Sequence, residues 1–433
     1  MLHRSILTAC VVMLAVVTAA MAQAPPAEPE DVRMTVDALK QRNRDLERRL
    51  TELESKIGAS AEQQQMQREE IRKLIDQTIA DNKKLLSPDW MENLKFSGDL
   101  RLRYEYRRRE TSPLADESRA RFRLRFGFEK AWPNEDLTVG FRLASGSSND
   151  PTSTNQTFQM FQKDAVWIDR AYAKWTPKAV KGFSITVGKI ANPWETSDMI
   201  WDPDVNPDGV WAQYDVPGLG PVTPFVGAGA FQLYAPENTT RPNANMMSYA
   251  AGIRFQITKD VKWTMAGNFF EYSNLDSALA GGAFAGRGGN TNIRDSRFHM
   301  FDLSNKVEFV AFKLPWTAHV DWVQNNDNNL ATHRNTGFAA GLKVGQNKKK
   351  GDWSARYQWK KLEADAVPDY FAESDFGWNT FTNRKGSLWG VDYNITDNMT
   401  AGVSFFLTEP IKAAGANIQE DRFTVQADLV WKF

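Results

Sequence analysis

The chain has 433 residues, with 53 Lys+Arg against 53 Asp+Glu and a formal net charge of zero, so it carries no basic excess for nucleic acid and no nucleic-acid partner is expected. Mean hydropathy is −0.50, and beyond the N-terminal segment no apolar run approaches the roughly 20 residues a spanning helix needs. That excludes a helical membrane protein. The 15 Trp, 10 Tyr and 26 Phe favour a membrane β-barrel, whose strands are half apolar and whose aromatics form interfacial girdles, over a secreted soluble β-protein.

The N-terminus reads Met1-Leu-His-Arg4, then an apolar stretch from Ile6 to Ala20, then Ala20-Met-Ala22. A charged start, a short apolar core and an A-x-A site predict a signal peptide over residues 1–22. Cys10, the sole cysteine, lies inside it, so the mature chain is expected to have no disulfide or thiol chemistry. Residues 23–30 form a Pro/Ala linker.

From residue 31 the period changes to a heptad. Val32, Leu39, Leu46 and Leu53 fall at d, and Val36, Asn43, Leu50 and Ile57 at a. Arg42 can meet Glu47, and Arg49 can meet Glu54, of a parallel neighbour. A periplasmic coiled coil or helical segment over 31–87 is therefore expected, making the protein a homo-oligomer, dimer or trimer. Leu at d with Asn at a leans toward two strands. Gly58-Ala-Ser60 interrupts the helix; a second amphipathic segment, with Met66, Ile71, Leu74, Ile75, Thr78, Ile79 and Leu85, stops at Ser87-Pro88.

Residues 90–433 alternate in period two. Sixteen strand cores are expected, beginning at Leu94, Arg119, Leu137, Ala165, Phe183, Gly209, Thr223, Ser248, Trp263, Met300, Trp316, Asn335, Trp353, Ser387, Met399 and Arg422. Short connections such as Trp132-Pro-Asn-Glu135 alternate with long polar ones near 107–118, 144–163, 190–208, 235–247, 273–298, 324–334, 361–385 and 408–421. Short periplasmic turns alternating with long external loops define an all-β transmembrane, antiparallel up-and-down barrel. Its last strand, Phe423 to Phe433, places Phe423, Val425, Ala427, Leu429, Trp431 and Phe433 on one face. The final aromatic resembles the insertion signal of bacterial outer-membrane proteins.

Sixteen strands enclose a lumen wide enough for water. Phe122, Leu124, Phe126 and Phe128 face lipid, so Arg119, Arg121, Arg123 and Arg125 face inward; Arg101 and Arg103 on the first strand and Arg142 on the third join them. An arginine facing lipid at mid-membrane would cost about 2–4 kcal/mol. Arg101, Arg103, Arg121, Arg123, Arg125 and Arg142 are thus the expected pore wall, either lining the channel or pairing with lumen carboxylates. The third long loop joins Glu195, Asp198, Asp202 and Asp204 to the apolar anchors Trp194, Met199, Ile200 and Trp201. Folded inward, it would set its carboxylates against the arginines across the pore. Asp204, Asn206, Asp208 and Asp215 also have the spacing of a calcium loop, with Asp215 where a bidentate Glu is usual and no flanking helices. No metal, cofactor or catalytic residue is assigned.

Lys95-Phe-Ser-Gly-Asp-Leu-Arg-Leu-Arg103, Arg119-Ala-Arg-Phe-Arg-Leu-Arg125, Asp169-Arg-Ala-Tyr-Ala-Lys-Trp175, and Gly188-Lys-Ile-Ala-Asn-Pro-Trp194 followed by Trp201-Asp-Pro-Asp204 resemble the bacterial outer-membrane "putative porin" family. The resemblance runs from about residue 90 to the end and is clearest between 95 and 215. It implies a general diffusion channel for small hydrophilic solutes or ions, set in outer-membrane lipid of a diderm bacterium. The N-terminal coiled coil is similar to that of some phosphate-selective porins, which are trimers. Without a run of pore-lining lysines, phosphate selectivity does not carry over. Two rival readings stand beside the channel: a barrel anchoring a stalk that tethers the cell wall, and an outer-membrane hydrolase using His319 and Asp321 at the rim.

Overall fold

The computed structural model describes residues 30–55, 68–78, 89–110, 115–237, 240–280, 289–290, 298–327, 333–378, 381–411 and 420–433. The expected signal peptide, most of the linker and the Gly58-Ala-Ser60 break lie outside them. Two units divide at residue 92.

In the first unit, Glu30–Ser55 is a 26-residue helix, and residues 68–78 form a second. Leu39 and Leu46, both on the expected seam, are 37% and 41% exposed in the single chain. Asp45 pairs within its own helix with Arg48 (3.3 Å) and Arg49 (3.6 Å).

The second unit is the barrel. Its strands in chain order are β1 Leu94–Arg109, β2 Glu117–Trp132, β3 Leu137–Ser145, β4 Gln156–Thr157, β5 Val166–Trp175, β6 Phe183–Lys189, β7 Asp208–Asp215, β8 Val222–Tyr234, β9 Ala244–Thr258, β10 Val261–Ser273, β11 His299–Ala311, β12 Leu314–Asn325, β13 Thr336–Gly345, β14 Trp353–Leu362, β15 Arg384–Asn394, β16 Met399–Pro410 and β17 Arg422–Lys432. The two residues of β4 patch β2 where β3 has ended, so the barrel has sixteen long staves. Each long strand pairs antiparallel with the next, and β17 returns to β1 from Asp99↔Lys432 to Arg109↔Arg422. Sheet closure leaves no edge, as a bilayer demands. At the seam Gly98 and Phe433 exchange backbone hydrogen bonds of 2.9 and 3.1 Å. A Cβ on Gly98 would lie 2.5 Å from the Phe433 ring, so glycine admits the terminal aromatic there.

Connections sort by length as the sequence pattern implies. β11 and β12 are joined by Phe312 and Lys313 alone, both at positive φ (54° and 63°), the backbone of a type I′ hairpin whose twist matches its strands. At the opposite end lie the long loops. Outward-facing rings collect near both ends of the staves: Phe309–Trp316 and Phe255–Trp263 toward the short turns, Phe301–Trp322 and Phe338–Trp359 toward the loops. These are the two interfacial girdles of a membrane barrel. The apolar core sits inside the barrel at the loop end. It joins Trp194, Met199, Ile200 and Trp201 of loop 190–207 to Phe270 and Met300 of the wall and to Val367 and Phe371 of loop 363–383.

Val320, in mid-β12 and 45% exposed, faces outward, whereas its neighbour Thr317 lines the lumen. Val320→Arg is expected to destabilise the barrel by about 2–4 kcal/mol and Thr317→Arg by about 1 kcal/mol or less, read from urea unfolding of the heat-modifiable form in lipid.

Candidate functional site

A lumenal cavity of about 480 Å³ lies where loops 190–207 and 363–383 meet the inner wall. The wall arginines are there because period-two alternation sends the odd-numbered side chains of β1 and β2 inward. Most are consumed by carboxylates of their own wall. Arg103 forms a fork on Asp428 (2.7 and 2.8 Å) and reaches Asp375 at 3.0 Å. Arg123 and Arg125 share Asp99 at 2.8 and 2.7 Å. Fully buried Glu105 takes Arg119 (2.6 Å), Arg107 (2.9 Å) and Gln426 (2.9 Å), with Arg121 at 4.0 Å. Arg142 pairs with Asp169, and Arg170 donates to Asn206 at 2.7 Å.

Arg101 differs. It donates to Asn155 Oδ1 at 2.5 Å, and its buried Nε has no partner. Arg356 donates to Ser404 Oγ at 2.9 Å. Among the described residues Arg101, Arg356 and Lys343 form no ion pair, and all three line the cavity.

Loop 190–207 crosses the lumen on its apolar anchors. Trp194 stacks on Trp201 at 4.6 Å, and its indole donates to Ser248 of β9 at 2.6 Å. The expected confrontation between its carboxylates and the arginine wall occurs only at Asp204, which lies 3.6 Å from Arg125 and accepts from Thr154. Having crossed, the loop spends its other charges on the opposite wall. Glu195 pairs with Lys306 (3.0 Å) and Arg254 (3.3 Å); burial would raise its pKa, but these two cations hold it below the ordinary value. Asp198 accepts from Gln358 (2.9 Å) and Lys360 (3.3 Å). Asp202 turns to backbone instead, accepting from Ser374 N and Asp204 N, both at 2.9 Å. Burial and the neighbouring Asp204 push its pKa well up.

Sequence reasoning missed loop 363–383, the other half of the constriction. It meets loop 190–207 through Asp202 N to Phe371 O (2.7 Å) and Glu373 N to Asp198 O (3.2 Å). Glu373 shares buried Lys360 with Asp198. Asp375 reaches back to Arg103; burial opposes its charge, but Arg103, Arg107 and Arg101 outweigh that and keep its carboxyl far below the usual range. The missed signal is apolar content: Ala364, Ala366, Val367, Tyr370, Phe371, Phe376 and Trp378, in a segment expected to be a polar loop, are all buried.

The calcium-loop residues point four ways: Asp204 to Thr154, Asn206 to Arg170 and Asp169, Asp208 to Lys189, and Asp215 to Arg254. No group of three or more Asp, Glu, His or Cys able to hold a metal occurs among the described residues. His319 does not lie at the rim. It sits in mid-strand, 3.5 Å from Gln358 Nε2, and both it and Asp321 face the lumen.

A closed sixteen-stave barrel with aromatic girdles and a polar lumen narrowed by inward loops is the architecture of an outer-membrane porin, a non-enzymatic channel class. The family model described as "Putative porin" matches residues 109–300 and 290–433; the chain belongs to that family. Among solved structures it is similar to Pseudomonas putida OprB at high pH, with TM-score 0.54 and 11% identity over 79% of this chain and 94% of that one. Salmonella typhi OmpF in complex with daunomycin follows at TM-score 0.47 and 11% identity, over 78% and 97%. A Rh. blastica porin variant reaches 0.43 at 9%, over 78% and 100%. No curated protein matches by sequence.

The Glu373 carboxyl is pushed up to about 7, by burial first and by Asp198 second, against the pull of Lys360. Between its ordinary 4.5 and about 7, the folded protein keeps a proton that the unfolded chain has lost, so stability falls as pH rises through that window. The expected loss is about 1–3 kcal/mol, and Glu373→Gln should flatten it; unfolding midpoints from pH 4 to 8 measure both.

Proposed function

We infer that the protein passes small hydrophilic solutes by diffusion and prefers anions among ions. The observation that carries this is the imbalance of unpaired charge at the cavity. Among the described residues, Arg101, Lys343 and Arg356 face it without ion pairs, against one carboxylate, Asp321, that likewise has no lysine or arginine partner; Glu195, Asp198, Asp204, Glu373 and Asp375 are each matched by a cation, and Asp202 is bound to backbone N–H. A matched pair contributes little net field, whereas a fixed unpaired cation in a narrow, low-dielectric passage raises the local anion concentration. The wall arginines other than Arg101 serve chiefly to hold β17, β1 and β2 in register and to anchor the loops. Selectivity therefore rests on Arg101 from the wall and on two cations across the lumen, with Glu195, Asp198, Asp202 and Asp204 positioning the loop.

The helix Glu30–Ser55 supports a second element of the reading. Leu39 and Leu46 stand exposed in one chain, on the heptad that would pair them with other copies. The helices would form a periplasmic coiled coil joining copies of the barrel into a dimer or trimer, and could reach the cell wall as a tether.

Purified protein in a planar bilayer under a salt gradient is expected to show stable conductance steps and an anion-selective reversal potential. Arg101→Glu should move the permeability ratio toward cations about tenfold, the change for roughly 1.4 kcal/mol of altered ion free energy; an unchanged potential would remove Arg101 from the selectivity reading. Deleting residues 31–87 should leave single-channel conductance intact and abolish helix-dependent cross-linking between chains.

A further inference from the structure

At one point of the lumen wall, three buried side chains each carry an oxygen that makes no well-formed hydrogen bond. Asp302 on β11, Asp321 on β12 and Asn268 on β10 are 0%, 1% and 1% exposed. Oδ1 of each lacks a hydrogen-bond partner. The three are neighbours. Asn268 Nδ2 donates to Asp302 Oδ2 at 2.8 Å, and the charges of Asp302 and Asp321 act on each other. In the β11–β12 register, Ser304, two residues along from Asp302, stands opposite Asp321.

Loop 190–207 covers the spot. Asn268 Nδ2 also donates to the Glu195 carbonyl at 3.0 Å. The Thr196 hydroxyl interacts with Asp302, and the Ser304 and Ser197 hydroxyls interact with Asp321. Thr196 Oγ1 is itself buried and makes no well-formed hydrogen bond. Among the described residues, neither carboxylate has a lysine or arginine as ion-pair partner; the basic group acting on Asp321 is His319.

Two ionised carboxylates cannot share a dry site without a counter-charge. A proton shared between them would remove one negative charge and supply one donor, leaving the Asn268 amide oxygen still orphaned. A hard cation answers charge and orphaned oxygens together. All the donors are oxygens, which selects a hard metal over one that prefers nitrogen or sulfur. Two carboxylates with amide and hydroxyl oxygens suit calcium, which takes mixed oxygen ligands; magnesium usually retains several waters.

We propose that Asp302, Asp321, Asn268 Oδ1 and Thr196 Oγ1 form a calcium-class divalent cation site that fastens loop 190–207 to β10, β11 and β12. The ion would fix the start of the loop that narrows the lumen, next to the ion pairs of Glu195.

The test uses the full folded chain, stripped with EDTA and then titrated with calcium chloride by calorimetry, alongside thermal unfolding. The expected result is one calcium ion bound per chain and an unfolding midpoint raised by several degrees at saturation. D302N/D321N, which keeps the shape and removes the charge, should remain a heat-modifiable barrel, bind no ion here and lose the calcium response. If wild-type binding heat and midpoint are unmoved by calcium up to about 1 mM, the site is overturned and a shared proton neutralises the pair. Calcium binding that survives in the double variant also overturns it, placing the ion elsewhere. The wild-type comparison needs no variant, so a misfolded D302N/D321N would not rescue the idea.

Discussion

In a bilayer no water meets an unpaired backbone group, and each such group costs several kcal/mol. The seam between β1 and β17, from Asp99↔Lys432 to Arg109↔Arg422, is therefore the contact on which the rest of the molecule depends. Without it two full ladders of N–H and C=O groups would face lipid. Once it is made, sixteen staves fix a circumference too wide for wall side chains to fill. What occupies the lumen must then be water or chain, and loops 146–165, 190–207 and 363–383 supply the chain. They interlock: Tyr370 OH donates to Asn149 O at 2.7 Å, and Ser374 Oγ donates to Thr152 O at 3.0 Å. Closure of the sheet thus sets the size of the hole, and loop burial decides how much of it stays open.

The same low-dielectric setting governs the charges. A buried carboxylate or guanidinium left single is expensive, so β17, β1 and β2 alternate sign across the wall: Asp428 against Arg103, Glu105 against Arg107 and Arg119, Asp99 against Arg123 and Arg125. Such a lattice specifies register, because a one-residue slip would send every charge toward lipid. It also nearly cancels its own field. On the proposed reading, a wall rich in arginine is thereby mainly a structural device, and the field felt by a solute would come from the few cations left over.

The barrel was legible because period two is a local signal carried by every strand. Strands expected to begin at Leu94, Leu137, Phe183, Trp353, Met399 and Arg422 begin there; the β9 start, expected at Ser248 and found at Ala244, missed by a turn's worth of residues. Site pairing was not legible, because it has no period. Asp198 finds Lys360 across 162 residues of sequence, and Arg103 finds Asp375 across 272. Nothing near Glu195 in the sequence points to Lys306 or Arg254. The inward course of loop 190–207 could be read from its tryptophans, and loop 363–383 would have yielded to the same reasoning from Phe371, Phe376 and Trp378. The heptad gave the helix Glu30–Ser55, but a helix in one chain says nothing of how many copies its seam would join.

Two kinds of force hold and tune the passage, and salt separates them. The loops stand on aromatic and aliphatic burial, Trp194 on Trp201 and Trp201 on Phe371 at 5.1 Å, which salt does not weaken. On the proposed reading Arg101, Lys343 and Arg356 would act on ions through water at the cavity, where the Debye length shrinks from about 10 Å at 0.1 M to about 3 Å at 1 M. Ion preference should therefore fade as salt rises while the bore stays fixed, so conductance would scale with bulk conductivity as the reversal potential collapses. If selectivity arose instead from loops shifting with ionic strength, bore and preference would change together. The apolar footing of both loops is the physical reason to expect them to come apart.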